Sequence, residues 1–242
     1  MEIVITCEHA SATVPAEWLP LFRESGASEL LTTHRGYDAG AASLATELGV
    51  ALSVKPFLGE TTRLLCDLNR SRHHPKVFSE FTRDLDAGAK SEILDRHWVP
   101  YREAVTRAIQ RGIQYSGSVL HLSCHSFTPV LDGVTRTTGI GLLYDPARSL
   151  ERDCVDRLQG ALQSAFRDLR IHRNQPYRGT SDGFTTHLRK QFSGTEYGGI
   201  ELELNQRLVH APASEWRALR STLVEVLATT ICDPMGMPPP AP

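Results

Sequence analysis

An α/β layer sandwich is the fold class that this 242-residue sequence predicts, and three features predict it. Short apolar runs alternate with longer segments in which apolar residues recur every three or four positions, the pattern of strands joined by helices. Several of the apolar runs end in histidine, aspartate or glutamate, as strands do when a site lies at their ends. No internal repeat and no break in composition divides the chain, so residues 1–232 read as a single domain followed by a proline-rich tail, 233–242.

Residues 2–7 are apolar and β-branched enough for a first strand, and residues 8–15 form the loop that leaves it, which puts His9 at a strand mouth. Beyond Tyr37, the residues Ala41, Leu44, Ala45 and Leu48 share a helical face, Gly49 is the predicted stop, and Asp38 falls in the first turn. Strands are expected at 50–54 and 63–67, the second leading into Asn69 and Arg70. Residues 71–88 are polar, with histidines and prolines, and read as a surface excursion able to act as a lid. Leu94, Trp98, Tyr101, Val105, Ile109 and Gly112 are spaced for a scaffold helix over 90–113 that Pro100 kinks or divides.

A strand at 118–125 follows, then a Gly/Thr-rich loop and a strand at 139–144. Leu150, Cys154, Leu158, Leu162, Phe166 and Leu169 mark an amphipathic helix that feeds a short strand near 169–173. A turn-rich loop at 174–180 and a helix at 181–192 lead to the last strand, 197–204, where Glu201 and Glu203 share a face. A final helix runs from about 214 to 231, and the tail has too much proline to pack as either element.

With 40% hydrophobic and 22% charged residues, the chain can fill one sizeable core. A net charge of -2, with no dense Lys/Arg block, excludes nucleic acid as the expected partner. No segment approaches the ~18 apolar residues of a membrane span, and the N-terminus has no signal-like run. The expected setting is cytoplasmic and the expected partner a small molecule. The five cysteines are widely spaced, without CxxC pairs, and read as reduced, mostly core thiols.

The stretch 119–126, Val-Leu-His-Leu-Ser-Cys-His-Ser, organises the functional reading. With period two, Leu120, Leu122 and Cys124 face one way and His121, Ser123 and His125 the other, which leaves His125 at the strand mouth. Cys7-Glu8-His9-Ala10-Ser11, residues 34–38, Asp67-Leu68-Asn69-Arg70 and Glu201-Leu202-Glu203-Leu204-Asn205 are placed to converge on the same point. That convergence suggests a metal-dependent hydrolase. His121 and His125 have the i, i+4 spacing of a helical zinc motif, but no glutamate follows the first histidine, so His121 is expected to pack behind the site.

His9, Asp38 in His34-Arg35-Gly36-Tyr37-Asp38, Arg63 with Asp67-Leu68-Asn69-Arg70, His125-Ser126, Asn174-x-Pro176 with Gly179, and Glu203-x-Asn205-x-Arg207 together resemble the N-formylglutamate amidohydrolase family. The resemblance covers nearly the whole chain, and its order and spacing are more specific than any single motif. It departs from better-known members at Cys7-Glu8-His9-Ala10-Ser11, where they carry a His-Ser-Gly type of turn. The family is related to zinc carboxypeptidases and aspartoacylases. It therefore implies a zinc-peptidase-like fold, a three-layer α/β/α sandwich with a mixed central sheet.

The resemblance implies His9, Asp38 and His125 as ligands of one zinc ion, a three-residue set that leaves a position for water. Glu8 is the alternative to Asp38, which would otherwise cap its helix. Asn69 and Arg70 resemble the pair with which the carboxypeptidase relatives hold a substrate carboxylate, a task suited to a guanidinium fork. Arg63 would polarise the scissile carbonyl or share the carboxylate, and Arg178 would meet a second acidic group; each is otherwise a surface arginine. Glu203 is the expected general base, with Glu201 its competitor.

The implied reaction is hydrolysis of an N-acyl group, formyl by resemblance, from an acidic amino acid such as N-formyl-L-glutamate. Another zinc deacylase or a carboxypeptidase-like hydrolase is the alternative among enzymes. A metal- or ligand-binding protein of the same fold without turnover is the alternative outside them.

Overall fold

The computed structural model describes residues 1–23 and 26–233; the tail expected at 233–242 lies, beyond Asp233, outside the described residues. The strands are β1 (Glu2–Cys7), β2 (Phe57–Leu58), β3 (Val119–Phe127), β4 (Val130–Leu131), β5 (Val134–Thr135), β6 (Ile140–Leu143), β7 (Ile171–Arg173) and β8 (Tyr197–Asn205). The α-helices are α1 (Ala27–Leu31), α2 (Ala41–Ala51), α3 (Ala87–Ile93), α4 (Val99–Ser116), α5 (Ser149–Ala165), α6 (Phe184–Arg189), α7 (Gln206–Val209) and α8 (Ala213–Cys232).

Six strands form a mixed sheet in the order β2-β1-β3-β8-β6-β7, in which only the β6–β8 pairing is antiparallel. The nine residues of β3 and the nine of β8 are all buried, as the two central strands of a sheet covered on both faces must be. One face carries Ile5, Cys7, Leu120, Leu122, Cys124, Ile200, Leu202 and Leu204, packed against α2, α5 and α8. On the other face Val4, Val119 and Tyr197 pack with Val105 and Ile109 of α4 and Phe184 and Leu188 of α6. The result is the expected three-layer α/β/α sandwich.

The apolar spacing of α2 buries Ala41, Leu44, Ala45 and Leu48. Truncating Leu44, which is fully buried, to alanine should cost about 2–5 kcal/mol. Gly40 caps the helix at φ +79, and a side chain there would press on Val209. Asp38 therefore lies two residues before the cap and not in the first turn. Gly49 does not end the helix, which runs to Ala51; the lack of a side chain at Gly49 admits the carbonyl of Val54 instead.

Two expected strands are absent. Residues 50–54 finish α2 and turn, and 63–67 form turns held by Leu65 N–H to Thr62 O (3.0 Å) and Thr62 Oγ1 to Gly36 O (2.8 Å). Leu64, Leu65 and Cys66 bury into a second apolar cluster with Phe22, Val77, Ile93 and Leu94, so their hydrophobicity serves loop packing and not a sheet. The same cluster fixes 71–88: Val77 is buried, and Thr82 Oγ1 donates to Leu65 O at 3.0 Å. Between α3 and α4 the turn Leu94–Trp98 is a π-helix, and Pro100 sits in the first turn of α4; the backbone stays helical through both, so Pro100 does not divide the long helix. The helix expected at 181–192 is reduced to α6.

Candidate functional site

Polar residues accumulate where β1, β3 and β8 end side by side. The parallel register sets Thr6 beside Ser123, Ser123 beside Glu201 and His125 beside Glu203. Glu8 and His9 follow β1, and the backbone N–H of Asp38 donates to His9 O at 2.9 Å, which brings the loop before α2 over the strand ends. The site thus lies at the carboxyl ends of parallel strands, where an α/β sheet opens a crevice.

His9, Asp38 and His125, all buried, offer ligand atoms within 4.8 Å of one another, the one such group among the described residues. Asp38 Oδ2 lies 3.2 Å from His9 Nδ1 and 2.9 Å from His125 Nδ1. The outer nitrogens are held too: His9 Nε2 lies 2.7 Å from Asp67 Oδ1, and His125 Nε2 lies 2.9 Å from Ser123 Oγ and 3.1 Å from Glu8 Oε2. Two imidazole nitrogens and a carboxylate, with each imidazole backed by a second carboxylate, fit a divalent metal that leaves one position for water. Glu8 stands behind His125 and outside the converging set, so Asp38 and not Glu8 completes it.

Burial alone would raise the Asp38 carboxyl, but the charge of His9 and hydrogen bonds from both histidines hold it far below the usual carboxylate range. Glu8 is held low against its own burial by His125, His121 and the Ser123 hydroxyl, which donates at 2.6 Å. His125 is raised well above its ordinary value because Asp38 and Glu8 outweigh desolvation. Tyr101 closes the group by donating its hydroxyl to Glu8 Oε1 at 3.2 Å.

Arg63 lies in the 59–70 loop and donates through Nη2 to Asp67 Oδ2 (2.8 Å) and through Nη1 to Asp38 Oδ1 (3.4 Å). It lines a cleft of ≈ 510 Å³ with His34, Asp67, Arg70, Lys76 and Tyr177. Residues 75–83 supply another wall, so the excursion read as able to act as a lid is a packed side of this cleft. Arg70 Nη1 donates to Asp182 O at 2.8 Å, and its other guanidinium nitrogens have no partner among the described residues. The side-chain carbonyl of Asn69 accepts from Phe184 N–H at 2.7 Å and fixes the start of α6.

The two glutamates on β8 differ in what holds them. Glu201 Oε1 accepts from Thr185 Oγ1 at 2.6 Å. Glu203 Oε2 is buried with no hydrogen-bond partner among the described residues, and burial, helped by Asp38 and Glu201 against the pull of His125, pushes its carboxyl up to about 8. A carboxylate so placed is free to exchange a proton with a bound molecule.

His121 lies behind the site as expected, bonded to Thr6 Oγ1 and the Tyr197 hydroxyl, both at 2.8 Å. Cys7 and Cys124 face the apolar core, and burial raises both thiols. Asn174 clamps its loop by accepting from Tyr144 and Gly179 N–H at 3.1 and 2.9 Å. Arg178 is exposed and makes no side-chain bond among the described residues. Sequence reasoning missed the partner roles of Asp67, Ser123 and Tyr101, and missed Arg136 altogether. Only Ser123 carried a usable signal, its place two residues before His125 on one strand face.

The model of the N-formylglutamate amidohydrolase family matches residues 1–210. The chain belongs to that family. Its sheet and site therefore lie within the matched region, while α8, packed on α2 and α5, follows it. Among solved structures, the gene product Atu2144 from Agrobacterium tumefaciens is similar with a TM-score of 0.77 and 25% identity, over 95% of this chain and 90% of that one. An N-formylglutamate amidohydrolase from Ralstonia eutropha JMP134 shares the fold with a TM-score of 0.72 and 16% identity, over 95% of this chain and 92% of its own. Comparison with curated proteins finds no match.

Proposed function

We propose that this member of the amidohydrolase family is a zinc enzyme that hydrolyses N-formyl-L-glutamate, or a closely similar acidic N-acyl amino acid, to formate and the free amino acid. One observation carries the reading: a metal-fitting set, His9, Asp38 and His125, stands beside a buried Glu203 whose Oε2 has no hydrogen-bond partner among the described residues. A protein that only stored metal would need no such uncommitted carboxylate.

His9, Asp38 and His125 would hold the ion. When bound, zinc supplies a Lewis acid that activates water and polarises a carbonyl. Arg70, which lines the cleft and has guanidinium nitrogens without a hydrogen-bond partner among the described residues, binds the substrate's carboxylate and orients the amide. Arg63, steadied by Asp38 and Asp67, would polarise the scissile carbonyl oxygen. Glu203 takes a proton from the attacking water and returns it to the leaving nitrogen. Glu201, held by Thr185, keeps the neighbouring strand face in place.

No helix among the described residues is long and apolar enough to cross a membrane, and all five cysteines are free. The free thiols fit a reducing, cytoplasmic setting, and the partner in this reading is the small-molecule substrate. The test is a panel of N-acyl amino acids and short peptides incubated with zinc-loaded protein, with and without chelator. Formate release from N-formyl-L-glutamate that stops on chelation is expected. Preference for another acyl group or for a peptide would reassign the substrate, and no product from any member would favour a binding protein.

A further inference from the structure

Arg136, in the loop after β5, is a half-buried cation with no counter-ion among the described residues. Its guanidinium lies 5.7 Å from the ring centre of Phe127 and 5.1 Å from that of Tyr177, and Nη1 donates to the Tyr177 hydroxyl at 2.9 Å. Its backbone carbonyl accepts from Asn205 Nδ2 at 3.1 Å. No carboxylate lies within ion-pair distance of it among the described residues. By contrast Arg63 and Arg35, at the same cleft, are paired with Asp67 and Glu80.

The position bears on the site. Phe127 ends the strand that carries His125, Asn205 ends the strand that carries Glu203, and Tyr177 lines the cleft that holds Arg63 and Arg70. A guanidinium fixed against aromatic rings has lost its conformational freedom before any ligand arrives, and its unused N–H groups suit a carboxylate in bidentate fashion. Arg178, expected from sequence to meet a second acidic group, points no bond into the fold, whereas Arg136 is bonded to the neighbouring Tyr177.

We propose that Arg136 is the specificity-determining contact for the side-chain carboxylate of the substrate, leaving Arg70 for the α-carboxylate. The inference rests on the reaction proposed above. A neutral side chain at the same place would leave the half-buried cation without a counter-ion, which is how such a contact discriminates.

Kinetics of zinc-loaded wild type, Arg136→Gln and Arg136→Lys with N-formyl-L-glutamate and N-formyl-L-glutamine test it. The wild type should prefer the acid, Arg136→Gln should reduce the ratio of the two kcat/KM values by about tenfold or more through KM, and Arg136→Lys should recover part of it. An unchanged ratio in Arg136→Gln, or equal losses on both substrates, overturns the inference. If the wild type turns over neither compound, the proposed reaction fails, and calorimetric binding of L-glutamate against L-glutamine reads the preference without turnover. A wild-type preference for glutamate that Arg136→Gln abolishes then sustains the contact, and no preference overturns it.

Discussion

Glu8 Oε2 lies 3.1 Å from His125 Nε2, on the side of the imidazole opposite Asp38. The buried carboxylate fixes the ring so that Nδ1 faces the converging set, and it raises the basicity of that nitrogen. Glu8→Gln keeps the shape and removes the charge, so zinc affinity should fall about 10–100-fold with the fold intact. Competition with a fluorescent chelator measures it. An affinity equal to wild type would reduce Glu8 to a packing residue.

Arg70→Ala should raise KM for acidic substrates by roughly 30-fold, the equivalent of about 2 kcal/mol for a lost charge-assisted pair, while zinc content stays at the wild-type level. Steady-state kinetics with parallel metal analysis separate the two effects. Unchanged KM would leave Arg70 with only its bond to Asp182 O.

The alternation of His121, Ser123 and His125 was legible because a side-chain period of two survives any packing of the strand. Pro100 lies two residues beyond the π-helical turn that joins α3 to α4, where the missing N–H falls in the first turn of α4. Leu64, Leu65 and Cys66 misled because an apolar run of that length fits a strand equally well, and its true partners, Phe22 and Ile93, lie far away in sequence. The metal-fitting residues stood out as chemistry at strand mouths. Their supports did not: Asp67 and Tyr101 reach His9 and Glu8 only through the folded loops and helices. Arg136 sits in a Gly/Thr-rich loop whose path nothing local dictates.

His121 makes stability depend on pH. Burial lowers it from 6.5 to about 4, so between those values the unfolded chain takes up a proton that the native protein does not. Its contribution is complete above pH 6.5 and is lost as pH falls toward 4, at roughly 1.4 kcal/mol per pH unit. Urea titrations at pH 4.5 and 7 should show a smaller difference for His121→Gln than for wild type. Equal differences would contradict a neutral buried His121.

Glu203→Gln is nearly isosteric and cannot accept a proton. It should keep fold, zinc and substrate affinity while kcat falls at least ~100-fold, whereas Glu201→Gln should be much milder. Rapid-quench measurement of formate release ranks the two. The reverse ranking would move the base to Glu201, and loss of zinc from Glu203→Gln would make it a ligand.

Zinc content per chain, measured by mass spectrometry on wild type, His125→Ala and His121→Ala after zinc loading and gel filtration, tests the metal centre most directly. His9, Asp38 and His125 predict one ion in the wild type, loss of ion and activity together in His125→Ala, and retention of most of the ion in His121→Ala. A wild type that carries no zinc and hydrolyses formylated substrate undiminished in chelator would contradict the account, as would a site emptied by His121→Ala but not by His125→Ala.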